Sequence, residues 1–131
     1  MVHIDTDTTQ PNAVRLLVQG QLDLTAISTF NAALTGAARL RLPVQLDLVK
    51  IDFIDGCGLS MLINAMSRAR RVGYELMIVA ASRQVRRLIE ITDTADRLPP
   101  LRLERNAHRA RADRQLTRGT LEASDAHAFR I

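Results

Sequence analysis

Two kinds of hydrophobic pattern alternate along this chain of 131 residues. Extended patterns at Val14–Val18, Val44–Val49 and Leu76–Ala81 are separated by helical patterns at Thr25–Ala38 and Cys57–Arg71. Parallel strands need a long crossover between them, and a helix is the usual crossover. The alternation therefore predicts an α/β fold in which neighbouring strands run parallel.

The N-terminal residues predict an additional strand of opposite direction. Val2 and Ile4 alternate with polar residues, and Thr8–Asn12 has the composition of a turn. Together with Val14–Val18 these segments predict a hairpin, which adds an antiparallel edge and makes the sheet mixed. The second strand is expected to end within Gly20–Asp23.

The helical segments are each expected to bury one face. In the first, the apolar face holds Ile27, Phe30 and Leu34. In the second, it holds Leu59, Leu62, Ile63 and Met66. Gly73 is expected to stop the second helix. A third helix is predicted over Arg83–Thr92, with Ser82 as its N-cap.

The length suits one domain with one core. That core must be aliphatic, because the chain has only three Phe, one Tyr and no Trp. We predict a domain over residues 1–104, with Leu101 and Leu103 as a short last strand. Residues 105–131 form an extension rich in Arg and Ala, which we expect to be marginally helical over Asn106–Leu116 or disordered.

The formal net charge of +4 comes from arginine, which is frequent towards the C-terminus. A basic segment of this kind either binds nucleic acid or forms a solvated tail. The tail is favoured, because acidic residues dilute the charge and no aromatic side chains are interleaved to stack on bases. No direct binding of nucleic acid is predicted.

Cysteine content and hydropathy predict a cytoplasmic protein. Cys57 is the only cysteine and cannot form an internal disulfide. No apolar run approaches the roughly 20 residues that a membrane-spanning helix needs. The residues that follow Met1 lack the pattern of a signal peptide. Membrane insertion is therefore not expected.

The turn Asp55-Gly56-Cys57-Gly58 joins a predicted strand to a predicted helix. In parallel α/β sheets, ligands and partners bind beyond the carboxyl ends of the strands, where this turn lies. Asp55 is placed to cap the helix, whose first N–H groups lack partners. Asp55 is either such a cap, a carboxylate that binds a partner, or both. Gly56 and Gly58 allow a tight bend and a close approach by another molecule.

The other polar residues near this turn have simpler interpretations. Cys57 could act as a redox sensor at a helix N-terminus, but we expect a small buried residue that fills space. Ser60 is expected to pack inside the helix, and Thr25 to cap the preceding one. No catalytic residue, cofactor or metal site is predicted. The histidines lie in or near the termini, and Met61 replaces the third glycine of a dinucleotide-binding loop.

Three segments resemble the STAS domain family, which includes the bacterial anti-sigma factor antagonists. Gly20–Ala26 resembles the family segment G-E-L-D-x-x-T/S. Leu46–Leu59 resembles L-D-L-x-x-(V/L)-x-F-(I/M)-D-S-S-G-L, and Ser82–Leu88 resembles S-x-x-V-x-R-x-(L/F). The segments occur in the family's order and at its separations, and the resemblance covers roughly Val2–Leu103.

The resemblance implies a single STAS-type domain, with a mixed sheet and helices packed mainly on one side. It also implies a non-catalytic role, in which the protein binds an anti-sigma factor of the serine-kinase type and so regulates transcription. An alternative within the family is a cytoplasmic accessory subunit of a transporter. The resemblance implies no oligomeric state. The residues that it implies for partner binding are Asp23, Asp55, Gly56, Cys57, Gly58 and Ser60.

The chain departs from the family at the phosphorylated serine. In the antagonists the partner kinase phosphorylates the serine after the conserved aspartate, and the added charge disrupts the complex. Here Gly56 occupies that position and has no hydroxyl. Only Ser60 or Thr25 would offer a nearby hydroxyl instead. The resemblance therefore predicts the binding surface without its usual switch.

Overall fold

The computed structural model describes residues 1–101. Its strands and helices, in chain order, are β1 (Val2–Asp7), β2 (Val14–Leu22), α1 (Ile27–Ala38), β3 (Val44–Ile54), α2 (Gly56–Val72), β4 (Leu76–Ala81) and α3 (Arg83–Thr92). Short 3-10 helices lie at Leu24–Ala26 and Ala95–Arg97. The predictions for Leu103, for the helix over Asn106–Leu116 and for the domain boundary at residue 104 fall outside the described residues.

The strands form one mixed sheet in the order β1-β2-β3-β4. β1 pairs antiparallel with β2, whereas β2, β3 and β4 pair in parallel. Leu101 adds an isolated parallel bridge to Ile78 of β4. The predicted α/β fold with an antiparallel edge is confirmed.

One face of the sheet carries the hydrophobic core. The sheet contributes Val14, Leu16, Val18, Val44, Leu46, Leu48 and Ile78. The helices contribute Phe30, Leu34, Leu62, Val85 and Ile89 to the same cluster. The helices therefore pack against one side of the sheet, as predicted.

The ends of α2 and α3 have the predicted capping residues. The Ser82 hydroxyl accepts a hydrogen bond from the Val85 amide at 3.3 Å, which confirms the N-cap of α3. Gly73 follows α2 with a φ of 93°, a left-handed conformation that favours glycine, and its amide donates to the Ala69 carbonyl. Among residues 1–101, no helix combines the length and the hydropathy needed to cross a bilayer.

The buried face of α2 differs from the predicted one. Ile63 and Met66 are only partly buried. Residues that are fully or nearly fully buried are Gly58, Leu59, Met61, Leu62, Ala65 and Ala69. The predicted face was wrong because hydropathy favours large apolar side chains as buried ones. Alanine has a low hydropathy weight, so the sequence does not distinguish the buried alanines of α2 from solvent-exposed ones.

The opposite face of the sheet holds a buried polar pair. Arg15 of β2 and Gln45 of β3 are register partners and are 7% and 8% exposed. The Arg15 guanidinium donates to the Gln45 side-chain oxygen from Nε at 3.1 Å and from Nη2 at 3.0 Å. The alternation of side chains along β2 correctly predicts that Arg15 and Leu16 lie on opposite faces of the sheet. It does not predict that Arg15 is buried. The hydrogen bonds offset part of the cost of burying the guanidinium.

Candidate functional site

Asp55 lies between the end of β3 and the start of α2, and it caps the helix. Its backbone is extended, and its Oδ1 accepts a hydrogen bond from the Gly58 amide at 3.0 Å. The Asp55 carbonyl accepts from the Leu59 amide at 2.9 Å. The predicted cap is confirmed. A carboxylate here also complements the positive end of the helix dipole.

Gly58 fixes the first turn of α2 against the end of β2. A Cβ added at Gly58 would lie 2.0 Å from the carbonyl oxygen of Leu22 and 2.9 Å from Cγ1 of Ile54. Real Cβ atoms essentially never come this close to another heavy atom, and the Leu22 oxygen belongs to the backbone. The group that approaches Gly58 closely is therefore the Leu22 carbonyl of the same chain and not another molecule as predicted, and Gly58 itself is buried.

Gly56 has the opposite environment. It is exposed, and a Cβ added there meets no heavy atom within 4 Å. Its φ lies outside the left-handed region that favours glycine. Neither space nor backbone conformation therefore requires a glycine at this position, which the family resemblance equates with the phosphorylated serine.

Asp23 caps the 3-10 helix that precedes α1. Its Oδ1 accepts hydrogen bonds from the Thr25 amide at 3.0 Å and from the Thr25 hydroxyl at 2.6 Å. The hydrogen bond from the Thr25 hydroxyl is the main reason that the pKa of Asp23 lies below its usual value, so the side chain is an anion at neutral pH. Thr25 was predicted to act as the cap, but Asp23 supplies the accepting oxygen and Thr25 the donors.

Replacement of Thr25 with valine is expected to raise the pKa of Asp23 toward 3.8, because the ionised carboxylate loses a donor. The folded pKa is lowered, so the contribution of Asp23 to stability is complete above the unfolded pKa. It is lost as the pH falls through the folded pKa. An NMR titration of the Asp23 carboxyl carbon measures the change. Thr29→Val, at an exposed position of α1, serves as the control, and an unshifted Asp23 titration in Thr25→Val would contradict the expectation.

The two capped turns lie at the same edge of the sheet. β2 and β3 are parallel neighbours, with Leu22 paired with Ile54 just before the turns begin. The contact between Gly58 and the Leu22 carbonyl ties the two segments together. The structure therefore brings Asp23 and Asp55 to one edge, as the family resemblance implied.

Cys57 and Ser60 both face solvent, which corrects their predicted packing. Cys57 is exposed, because the buried residues of α2 begin only at Gly58. Ser60 is exposed because the buried face of α2 runs through Met61 and Ala65. A shallow depression of about 380 Å³ adjoins Ser60 and extends to Thr94 and Arg97.

Two apolar residues of this edge were not predicted as part of the site. Leu24 is 66% exposed in the turn after β2, and Phe53 is 46% exposed near the end of β3. Exposed apolar side chains that are grouped together and rimmed by polar residues are typical of protein-binding surfaces. A usable signal was present in the sequence, since Leu24 follows a capping aspartate and Phe53 lies two residues before the turn that starts at Asp55. We call the surface formed by Asp23, Leu24, Phe53, Asp55, Gly56, Cys57 and Ser60 the turn surface.

The turn surface carries charged, apolar and polar groups side by side. It combines two carboxylates, two apolar side chains, a thiol and a hydroxyl around a rigid helix start. His3 lies on β1 and contacts Asp5 at 3.1 Å. Within residues 1–101, no three His, Cys, Asp or Glu side chains are grouped as metal ligands would be.

Solved structures with the same fold include anti-sigma factor antagonists. The unphosphorylated form of the antagonist SpoIIAA matches with a TM-score of 0.60 and 17% identity, covering 91% of this chain and 99% of that one. An antagonist from Mycobacterium paratuberculosis matches with a TM-score of 0.63 and 17% identity, covering 84% and 93%. The phosphorylated form of SpoIIAA from Bacillus matches with a TM-score of 0.53 and 15% identity, covering 69% and 83%. At these identities the likeness shows the fold.

Family membership rests on the sequence itself. The model of the STAS domain matches residues 5–110, which include the whole turn surface. No curated protein sequence matches the chain. Because the match covers most of the chain, this protein belongs to the STAS domain family.

Proposed function

We propose that this protein is a non-catalytic binding module that binds an anti-sigma factor through the turn surface and so regulates sigma-factor-dependent transcription. STAS membership and the fold of known antagonists support this assignment. The observation that carries it is the exposure of Leu24 and Phe53 beside the capped carboxylates. An interface needs such apolar anchors at its centre and polar groups around them.

The proposed partner is an anti-sigma factor of the serine-kinase type, bound in the cytoplasm. Asp23 and Asp55 give the turn surface a negative rim, which favours a partner with basic side chains. Gly56 presents backbone without a side chain, so the partner can approach the start of α2 closely. The same glycine lacks the hydroxyl that the kinase would modify, so binding persists in the presence of ATP.

We expect affinity capture with the full-length protein from its native cell to recover an anti-sigma factor, identified by mass spectrometry. With that partner purified, Phe53→Ala and Leu24→Ala should each weaken binding by about tenfold or more, because buried apolar anchors dominate binding energy. Isothermal titration calorimetry measures the affinities. Leu40→Ala is the matched control, since Leu40 is 48% exposed after the end of α1 and lies outside the turn surface.

Two outcomes would contradict the proposal. The first is that Phe53→Ala and Leu24→Ala weaken binding no more than the control Leu40→Ala does. The second is the recovery of a transporter subunit in place of an anti-sigma factor. Such a subunit would favour the alternative role as a transporter accessory.

A further inference from the structure

A second concave surface lies at the other end of the molecule from the turn surface. It has a volume of about 740 Å³ and lies between the C-terminal ends of α1 and α2, beside the starts of β3 and β4. We call it the basal cavity. The residues that line it include Arg39, Arg41, Leu42, Arg68, Val72 and Tyr74. Its size lies in the range typical of small-molecule sites.

The arginine side chains of the basal cavity form no polar contacts that would stabilise the fold of residues 1–101. Within residues 1–101, the side chains of Arg39, Arg41 and Arg68 form no hydrogen bond or salt bridge. They are not needed to cap the two helices, because backbone amides already do so. The Ala69 carbonyl accepts from the amides of Gly73 and Tyr74, and the last turn of α1 is closed in the same way.

Arg41 has an unfavourable backbone conformation at the rim of this cavity. Its φ is 58°, in the left-handed region that residues with a side chain rarely adopt. A glycine would suit that conformation better, yet the position keeps a guanidinium beside the cavity. Strain held at a surface turn is a reason to look for a function there.

Tyr74 has an unpaired hydroxyl in the wall of the cavity. The Oη atom is buried and has no hydrogen-bond partner among the described residues. Burial raises the pKa of Tyr74, and the positive charge of Arg68 opposes this shift, so the hydroxyl is a neutral donor next to a cation. Buried hydroxyls nearly always have a hydrogen-bond partner. The missing partner of Tyr74 therefore indicates that a bound molecule supplies the acceptor.

The charge and shape of the basal cavity define what fits it. Three guanidinium groups line it, and Glu75 is the one acidic side chain among its lining residues. Arginine matches the planar oxygens of carboxylate and phosphate groups. The lining also offers apolar surface, from Leu42, which is partly buried, and from Val72, which is 65% exposed. An occupant therefore needs an anionic head and an apolar body.

We propose that the basal cavity binds a small organic anion, a carboxylate or a phosphate ester with an apolar chain. Arg68 binds the anionic group. When the Arg68 side chain moves toward the ligand, the buried Tyr74 hydroxyl can donate a hydrogen bond to an oxygen of that group. Arg39 and Arg41 hold the anion at the rim, and the apolar chain lies over Leu42 and Val72. The basal cavity and the turn surface lie at opposite ends of β3. The inference therefore stands independently of the proposed function.

The test uses the full-length protein and four probes below their micelle concentrations. Octyl phosphate and octanoate carry both the head and the chain, 1-octanol carries the chain alone, and inorganic phosphate carries the head alone. We expect saturable NMR shifts at Arg68 and Tyr74 with the two amphipathic anions, and the stronger of these identifies the head group. We expect binding by 1-octanol and by inorganic phosphate to be at least about tenfold weaker.

Two variants assign the roles of the side chains. Arg68→Gln should weaken the anionic probes about tenfold, whereas Arg71→Gln, exposed on the same helix outside the cavity, should not. Tyr74→Phe should raise the thermal midpoint of the free protein, because an unpaired buried hydroxyl is removed, and should reduce the midpoint shift caused by the probe.

The results that would overturn the proposal are equally specific. They are the absence of saturable binding by either amphipathic anion, or binding of 1-octanol as tight as that of octyl phosphate. An equal response of Arg68→Gln and Arg71→Gln to the probes would also overturn it. Thermal midpoints of the free variants establish that each one is folded.

Discussion

Gly58→Ala should destabilise the protein by roughly 3 kcal/mol, the upper end of the usual cost of forcing extra atoms into a packed site. The added methyl group would lie 2.0 Å from the Leu22 carbonyl oxygen, so a rigid backbone atom rather than a flexible side chain would have to move. The start of α2 would be displaced from the end of β2. The cap from Asp55 to the Gly58 amide would be disturbed in the same step.

Urea denaturation of Gly58→Ala against the wild type measures this cost. Gly36→Ala is the matched control, since a Cβ at Gly36 in the exposed face of α1 meets nothing within 4 Å. Alanine there should stabilise the helix by about 0.5–1 kcal/mol. Equal stability of Gly58→Ala and Gly36→Ala would show that α2 does not depend on this contact.

Gly56→Ser should convert the protein into a substrate of its proposed kinase partner. The position is exposed with open space around it, so folding stability should change by less than about 0.5 kcal/mol. After incubation with that partner and ATP, intact mass should rise by one phosphate. The wild type should stay unmodified at position 56. A phosphate there adds nearly two negative charges between Asp55 and the partner, which should weaken the complex by about tenfold or more.

Peptide mass spectrometry locates the phosphate. Ser60→Ala in the Gly56→Ser background excludes the exposed hydroxyl of α2 as the acceptor, and Gly56→Ala controls for the added side chain. A Gly56→Ser protein that binds the partner but remains unmodified would contradict a kinase-type partner that reads this turn.

Local signals were sufficient to predict most of the fold. The N-cap at Ser82, the stop at Gly73 and the apolar run of β4 each depend on a few neighbouring residues, and each is confirmed. The cap formed by Asp55 is confirmed for the same reason. The parallel direction of β2, β3 and β4 followed from the alternation of patterns, because a helical crossover makes neighbouring strands parallel.

Features set by tertiary packing could not be predicted in this way. The burial of Arg15 depends on Gln45, which lies 30 residues away in the sequence. The exposure of Cys57 depends on how α2 is rotated about its axis, which the packing of Ala65 against the core decides. Phe53 is 46% exposed although it belongs to a strand whose other apolar side chains are mostly buried, and hydropathy alone does not distinguish it from them.

The open space around Gly56 has a consequence for control in the cell. A binding module without a hydroxyl at position 56 lacks the family's usual off state there, so under the proposed function its effect depends on amounts. The partner is then titrated, and sigma factor is released only once copies of this protein outnumber copies of the partner. Synthesis and degradation become the means of control. Since the folded fraction sets how many copies survive proteolysis, the tight packing of Gly58 would help to determine the threshold.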